Sequence, residues 1–105
     1  HIVKHLPVMA ASANAMVHDA IEAFIDQDLD AAMEIVERDD EVDTLFNQVK
    51  DDVIHLLKSS PDQADQGIDL LMVAKYLERI GDHAVNVCEW TQFSKTGALK
   101  NVRIM

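Results

Sequence analysis

The stretch that decides the interpretation of this chain is Leu77-Glu78-Arg79-Ile80-Gly81-Asp82-His83-Ala84. It lies in a segment whose apolar residues recur at helical spacing, so Glu78 and Asp82 share one helix face. Like charges at this spacing repel each other by a few tenths of a kcal/mol. A second pair, Asp39 and Asp43, stands upstream. Two such pairs on two helices can form an all-oxygen cation site if the fold brings them together.

Length and composition predict one all-α domain over residues 1–105. Ala, Val, Leu, Ile and Met supply most of the apolar content, and only three Gly and two Pro interrupt the chain. This composition favours long helices. No apolar run approaches the roughly 20 residues that a membrane span needs, so we expect no membrane insertion.

The net charge of −10 restricts the class of partner. So acidic a chain cannot neutralise phosphates, which argues against nucleic acid and against an anionic membrane surface. It attracts cations or basic protein surfaces instead. The single Cys88 excludes an internal disulfide and CxxC metal sites, and we expect it to be buried in the core. No signal-peptide pattern is visible, and we therefore predict a cytoplasmic protein.

Two polar breaks divide the chain, Asp26–Asp30 and Ser59–Asp62, and Pro61 disfavours helix at the residue before it. A third signal, Gly97, is a typical helix stop. The predicted helices span residues 6–26, 29–58 and 63–95, followed by a short tail. Long amphipathic helices with short connections predict an up-down-up three-helix bundle.

Apolar residues at alternating three- and four-residue spacing define the predicted core. The predicted positions are Leu6, Ala10, Ala13, Val17, Ala20 and Phe24; Ala32, Val36, Phe46, Val53 and Leu57, with Ile35, Val42, Val49 and Leu56 beside them; and Leu70, Val73, Leu77, Ile80, Ala84 and Val87.

The acidic pairs are predicted to lie at the same height in the bundle. If the chain folds back at Ser60-Pro61, residues equidistant from the turn face each other, and residue 41 is level with Gly81. On a helical wheel, Asp39 falls inside the apolar arc of the second helix. The small residues Ala74 and Gly81 lie between the core stripe and the acids, where they allow close helix approach. A packing or functional role is expected for Gly81, because glycine costs about 1 kcal/mol of helix propensity relative to alanine.

Salt bridges are the alternative explanation of these acids. With 19 acidic residues in the chain, several i,i+4 acid pairs arise by chance. Four basic residues stand near enough in sequence to neutralise the two pairs: Arg38, Lys50, Lys75 and Arg79. Spacing alone leaves both interpretations open.

Residues Met72–Glu89 strongly resemble the signature helix of the PhoU family of phosphate-uptake regulators. The run Asp39–Asp43 is similar to that family's other acidic motif. The first-helix run 9–24 and the turn 28–32 also fit, and the resemblance covers about residues 5–97. The run from Tyr76 to Asn86 is its most specific part, because both acids, the glycine and their neighbours agree.

This resemblance implies a helical protein whose paired E/D-x-x-x-D motifs bind metal clusters. It also implies a cytoplasmic negative regulator that links a phosphate ABC transporter to a sensor histidine kinase. Carried over by position, the metal ligands are Asp39, Asp43, Glu78 and Asp82. Oxygen ligands favour Mg, Ca or Mn, and the family adds iron and zinc. No catalytic residue and no organic cofactor are implied.

The chain departs from the family in length, because it resembles only the second of the usual two repeats. We therefore expect either a fragment or a single repeat that forms a homodimer. Ile68, Trp90 and Phe93 lie off the predicted core stripe and are candidates for the surface that a second repeat covers.

Two other functions are left open by the residues. A metal-dependent helical-bundle oxidase is one, although a di-iron bundle needs a Glu-x-x-His on each of two helices and none is present. A purely structural dimerisation domain is the other. His1 and His5 could chelate a metal if helical, but near a chain end they are expected to be exposed.

Overall fold

A computed structural model describes residues 3–97, and the side chains of residues 3–95. That part of the chain contains four α-helices and no strand, which confirms the all-α prediction. The helices are α1 (His5–Asp26), α2 (Leu29–Glu37), α3 (Asp39–Ser59) and α4 (Ala64–Gln92). A 3₁₀ turn, Pro61–Gln63, precedes α4 and a π-helical turn, Phe93–Gly97, follows it. The predicted tail, residues 98–105, and His1 lie outside the described residues.

The helices pack as a three-helix bundle in which α2 and α3 together form the second helix. On α1, Asp19 contacts Arg38, which directly precedes α3, and His5 contacts Asp52 within α3, so α1 and α3 run in opposite directions. The chain reverses again at Ser60, and α4 packs against both α1 and α3. The two acidic pairs therefore lie on neighbouring antiparallel helices.

The helix predicted over residues 29–58 is interrupted at Arg38, which corrects the sequence interpretation. Arg38 keeps right-handed backbone angles (φ −71°, ψ −12°), but its N–H donates to the carbonyl of Ile35, three residues back, at 2.9 Å. Its guanidinium donates to the Asp19 carboxylate on α1 at 2.8 Å. Asp39 thus becomes the first residue of α3, where a negative charge is favoured by the helix dipole.

The start of α1 also differs from the expectation, because His5 is half-buried rather than exposed. The His5 ring Nδ1 lies 2.7 Å from the Asp52 carboxylate on α3. The same carboxylate oxygen accepts from the His5 backbone N–H at 3.2 Å. Asp52 therefore satisfies a backbone donor in the first turn of α1, as a capping residue does.

The core contains several side chains that differ from those the sequence predicts. Phe24 and Val73, both predicted core residues, are 39 % and 47 % exposed, whereas Met9 and Met16 are fully buried. The buried residues of α1, α2 with α3, and α4 are Met9, Ala13, Met16, Ala20 and Ala23; Ala32, Ile35, Val42, Leu45, Val49, Val53 and Leu56; and Gly67, Ala74, Leu77, Gly81, Ala84, Cys88 and Thr91. Apart from Leu77, the core face of α4 is thus a row of small residues, and the other large residues predicted for the core lie on either side of this row.

Three helices meet at Gly81. A Cβ atom at this position would lie 3.5 Å from Asp39 Oδ1, 3.6 Å from Val42 Cγ1 and 3.9 Å from Met16 Sδ. These are ordinary van der Waals distances, so a methyl group fits but a longer side chain has no free volume. The close approach predicted from the small residues of α4 is present.

We expect Gly81→Leu to lower the free energy of unfolding by about 1–3 kcal/mol, because overpacking forces the helices apart. Gly81→Ala is the matched control: its methyl group fits, and alanine contributes up to about 1 kcal/mol of helix propensity. Urea unfolding of the metal-free proteins measures both effects. Unchanged stability of the leucine variant would contradict the close approach.

Candidate metal centre

The candidate metal centre lies on one edge of the α3–α4 contact. Asp43 on α3 lies near Glu78 on α4, and the two carboxylates repel each other. One turn away, Asp39 lies against Gly81 and repels Asp82 electrostatically. The four residues predicted from the sequence thus form two adjacent pairs, at the heights that the turn at Pro61 predicts.

Asp39 is the most constrained of the four acids. Its Oδ1 atom is buried and has no hydrogen-bond partner among the described residues. A buried polar atom without a partner costs about 1–3 kcal/mol, and more when it is charged. Asp43 and Asp82 are exposed, and Glu78 is half-buried. The arrangement is therefore open to solvent on one side and closed by α4 on the other.

Burial raises the pKa of the Asp39 carboxyl group, and repulsion from Asp43 and Asp82 raises it further. Loss of hydration beside the neighbouring helix raises the pKa of Asp43, although its side chain is exposed, and the negative charge of Glu78 raises that pKa further. Without a cation, the fold therefore disfavours the charged forms of Asp39 and Asp43.

The salt-bridge alternative accounts for one of the four acids. Lys75 Nζ donates to Glu78 Oε1 at 2.9 Å, and the same ammonium lies 5.1 Å from the centre of the Phe46 ring. Arg38 is occupied elsewhere: it lies 2.8 Å from the Asp19 carboxylate and lowers the pKa of that group. Within residues 3–95, no Lys or Arg forms an ion pair with Asp39, Asp43 or Asp82.

The four acids do not converge on one point in this conformation. Among the described residues, no three of their oxygens lie within 4.8 Å of one another. The group that does meet this distance is His18, Asp19 and Glu22 on the surface of α1. This group was not predicted from the sequence, although the i,i+4 spacing of His18 and Glu22 indicates that the two side chains share one helix face. Because Asp19 is already neutralised by Arg38, we assign no site there.

An apolar groove near the turn between α3 and α4 is separate from these acids. It has a volume of about 420 Å³ and lies between the start of α1 and the α3–α4 connection. Its walls include Leu6, Leu56 and Leu70, and among the described residues no charged side chain lines it. The groove therefore offers nothing to a metal ion.

A PhoU domain model matches residues 6–91, which include both acidic pairs. The chain belongs to the PhoU family. It is 36 % identical over 96 residues to a Clostridium acetobutylicum protein and 36 % identical over 97 residues to a Zymomonas mobilis protein. Both are named phosphate-specific transport system accessory protein PhoU homolog. A Thermotoga maritima protein, homolog 1 of the same name, is 31 % identical over 102 residues.

These alignments cover 91 %, 92 % and 97 % of the present chain but 44 %, 41 % and 43 % of the three relatives. This PhoU chain therefore spans less than half the length of the relatives it matches. No solved structure matches it. Among the described helices, none combines the length and the apolar character that crossing a membrane requires.

The raised pKa values predict how pH acts on the metal-free protein. A carboxyl group whose pKa is higher in the folded state stabilises the fold at low pH, and this contribution is lost as pH rises through the folded pKa. We therefore expect Asp43→Asn to stabilise the protein at pH 7, because the asparagine removes a repelled charge. The difference from the parent should shrink towards zero near pH 4, the ordinary value of the carboxyl group.

Chemical unfolding in a chelator at pH 4, 5.5 and 7 measures this trend. Asp51→Asn is the matched control, because Asp51 is an exposed acid in the interior of α3 outside both pairs. An advantage of Asp43→Asn that stays constant over this range would show that charge repulsion is not its cause.

Proposed function

We propose that this chain is a metal-binding regulatory module of phosphate uptake, which acts through protein–protein contacts and not as an enzyme. The observation that carries the metal-binding part is the buried, unpartnered Oδ1 of Asp39, beside Gly81 and next to three further carboxylates. The regulatory part rests on family membership and on relatives named as accessory proteins of a phosphate-specific transport system.

The donor set fits a hard cation. Asp39, Asp43, Glu78 and Asp82 supply only carboxylate oxygens, the ligands preferred by Mg²⁺, Ca²⁺ and Mn²⁺. The family resemblance adds iron and zinc to this range. A bound cation would supply positive charge to a cluster in which Lys75 is the one ion-paired base among the described residues. It would also give the buried Asp39 oxygen a partner.

The proposed partners follow from the same family membership. They are a phosphate ABC transporter and a sensor histidine kinase, which this module would connect as a cytoplasmic negative regulator. The module would also pair with a second PhoU repeat, supplied either by the rest of a longer chain or by a second copy. Ile68, Trp90 and Phe93 on the outer side of α4 and the turn after it are exposed and suit that contact.

Metal addition and removal test the proposed site. We expect a chelator to lower the melting temperature and excess Mn²⁺ to raise it, because binding to the folded state alone stabilises it by mass action. At a metal concentration of 100 times Kd the gain is about 2.7 kcal/mol. The double variant Asp43→Asn, Asp82→Asn should lose the response to metal. In chelator it should melt higher than the parent, because two repelled charges are gone.

The pair Asp65 and Asp69 provides a matched control, since both are exposed acids four residues apart on α4. Changing this pair to asparagine removes the same charge and should leave the metal response intact. The salt-bridge alternative would be favoured by two results together: a parent whose melting temperature does not change with metal, and a double variant of the candidate site that melts at a lower temperature than the parent in chelator.

Light scattering tests the predicted homodimer. A solution at high micromolar concentration should give twice the 11.7 kDa mass of one chain. Trp90→Lys should reduce this mass, because it places a charge on the exposed apolar surface of α4. A monomer at that concentration would contradict the dimer while leaving the metal site untouched.

A further inference from the structure

We propose that Lys75 is a built-in counter-cation of the four-carboxylate site, which partly neutralises it in the metal-free protein and competes with an incoming metal ion. This inference rests on the proposed metal site and adds a residue that sets its affinity. It concerns the one basic side chain among the described residues that forms an ion pair with any of the four acids.

The position of Lys75 follows from the antiparallel packing of α3 and α4. Asp39 lies against Gly81, Asp43 faces Glu78, and Phe46 lies beneath the Lys75 ammonium. These three contacts follow one another along α3 towards the turn at Pro61, so the pair of Phe46 and Lys75 comes directly after the two acidic pairs. Lys75 therefore closes one end of the row of carboxylates.

Two contacts hold the Lys75 ammonium at this end. It donates to Glu78 Oε1 at 2.9 Å on its own helix, and it lies 5.1 Å from the Phe46 ring centre on α3. The distance to the ring is typical of a cation–π interaction. Because Phe46 belongs to α3, the contact places the ammonium across the helix pair, beside Glu78.

The Lys75 ammonium can also leave its position. The Lys75 side chain is 60 % exposed, whereas that of Glu78 is 21 % exposed. The lysine can therefore swing into solvent while the Glu78 carboxylate remains at the site. A metal ion that takes up Glu78 has to displace this hydrogen bond or bind beside a positive charge, and either lowers its affinity.

The expected effect is measurable. Removing one unit charge at a few ångströms from a solvent-exposed site changes cation affinity by about three- to tenfold. The change should shrink at high ionic strength, because salt screens exposed charges over about 3 Å at 1 M. We therefore expect Lys75→Met to bind Mn²⁺ about three- to tenfold more tightly than the parent at low salt. Lys75→Arg keeps the charge and should stay near the parent.

Lys58→Met is the matched control. It removes the same charge from α3, but Lys58 lies fifteen residues beyond Asp43, about 22 Å along the helix axis. Calorimetric titration with MnCl₂ at low and high salt gives the affinities of all four proteins. Melting temperatures in chelator and in saturating Mn²⁺ give a second readout. Lys75→Met should melt below the parent in chelator, and this deficit should vanish or reverse with Mn²⁺.

The Mn²⁺ titrations have three possible outcomes, and each leads to a different conclusion about Lys75 and the metal site. Tighter Mn²⁺ binding by Lys75→Met alone, together with a stability deficit confined to chelator, supports the counter-cation. A parent that binds Mn²⁺ while Lys75→Met binds it equally or more weakly would overturn this inference and leave the proposed metal site standing. If neither protein binds Mn²⁺, the proposed metal site fails, and the inference fails with it.

Discussion

The close packing of α4 against α3 at Gly81 is the constraint on which the candidate site depends. Only hydrogen occupies the side-chain position there, so Asp39 Oδ1 and Val42 come within van der Waals distance of where a Cβ would stand. Alanine would fit at position 81, but a side chain longer than a methyl group would separate the helices and expose Asp39 to water. This contact explains why a small residue stands in the middle of α4.

The same contact creates an electrostatic conflict. It places Asp39 Oδ1, which has no hydrogen-bond partner within the described part of the chain, beside three other acids, and burial and repulsion raise the pKa of Asp39. In a protein with a net charge of −10, little positive charge is available to relieve this conflict. Sites of this kind trade stability for ligand affinity, because the energy stored in the repulsion is released when a cation binds. Lys75 offsets part of the conflict at one end only.

The helix break at Arg38 separates the roles of two neighbouring residues. Arg38 turns towards Asp19 on α1 and joins the outer sides of the two helices, whereas Asp39 lies against Gly81 on α4. Consecutive residues of a continuous helix already point about 100° apart around the helix axis, so Arg38 and Asp39 face different neighbouring helices. The break also makes Asp39 the first residue of α3, so the positive end of a helix dipole faces the acidic pair.

The sequence by itself determined the all-α class, the turn at Pro61, the matched heights of the two acidic pairs and the family. These features depend on local periodicity, on a strong helix breaker and on counting residues from a turn. Only the tertiary structure decided that Met16 rather than Phe24 is buried in the core. The spacing of apolar residues locates the buried face of a helix only to within about one residue. The tertiary structure also decided the break at Arg38, where no glycine or proline gives a signal, and the pairing of His5 with Asp52. Such contacts join residues far apart in the chain, and their geometry exists only once the helices have packed.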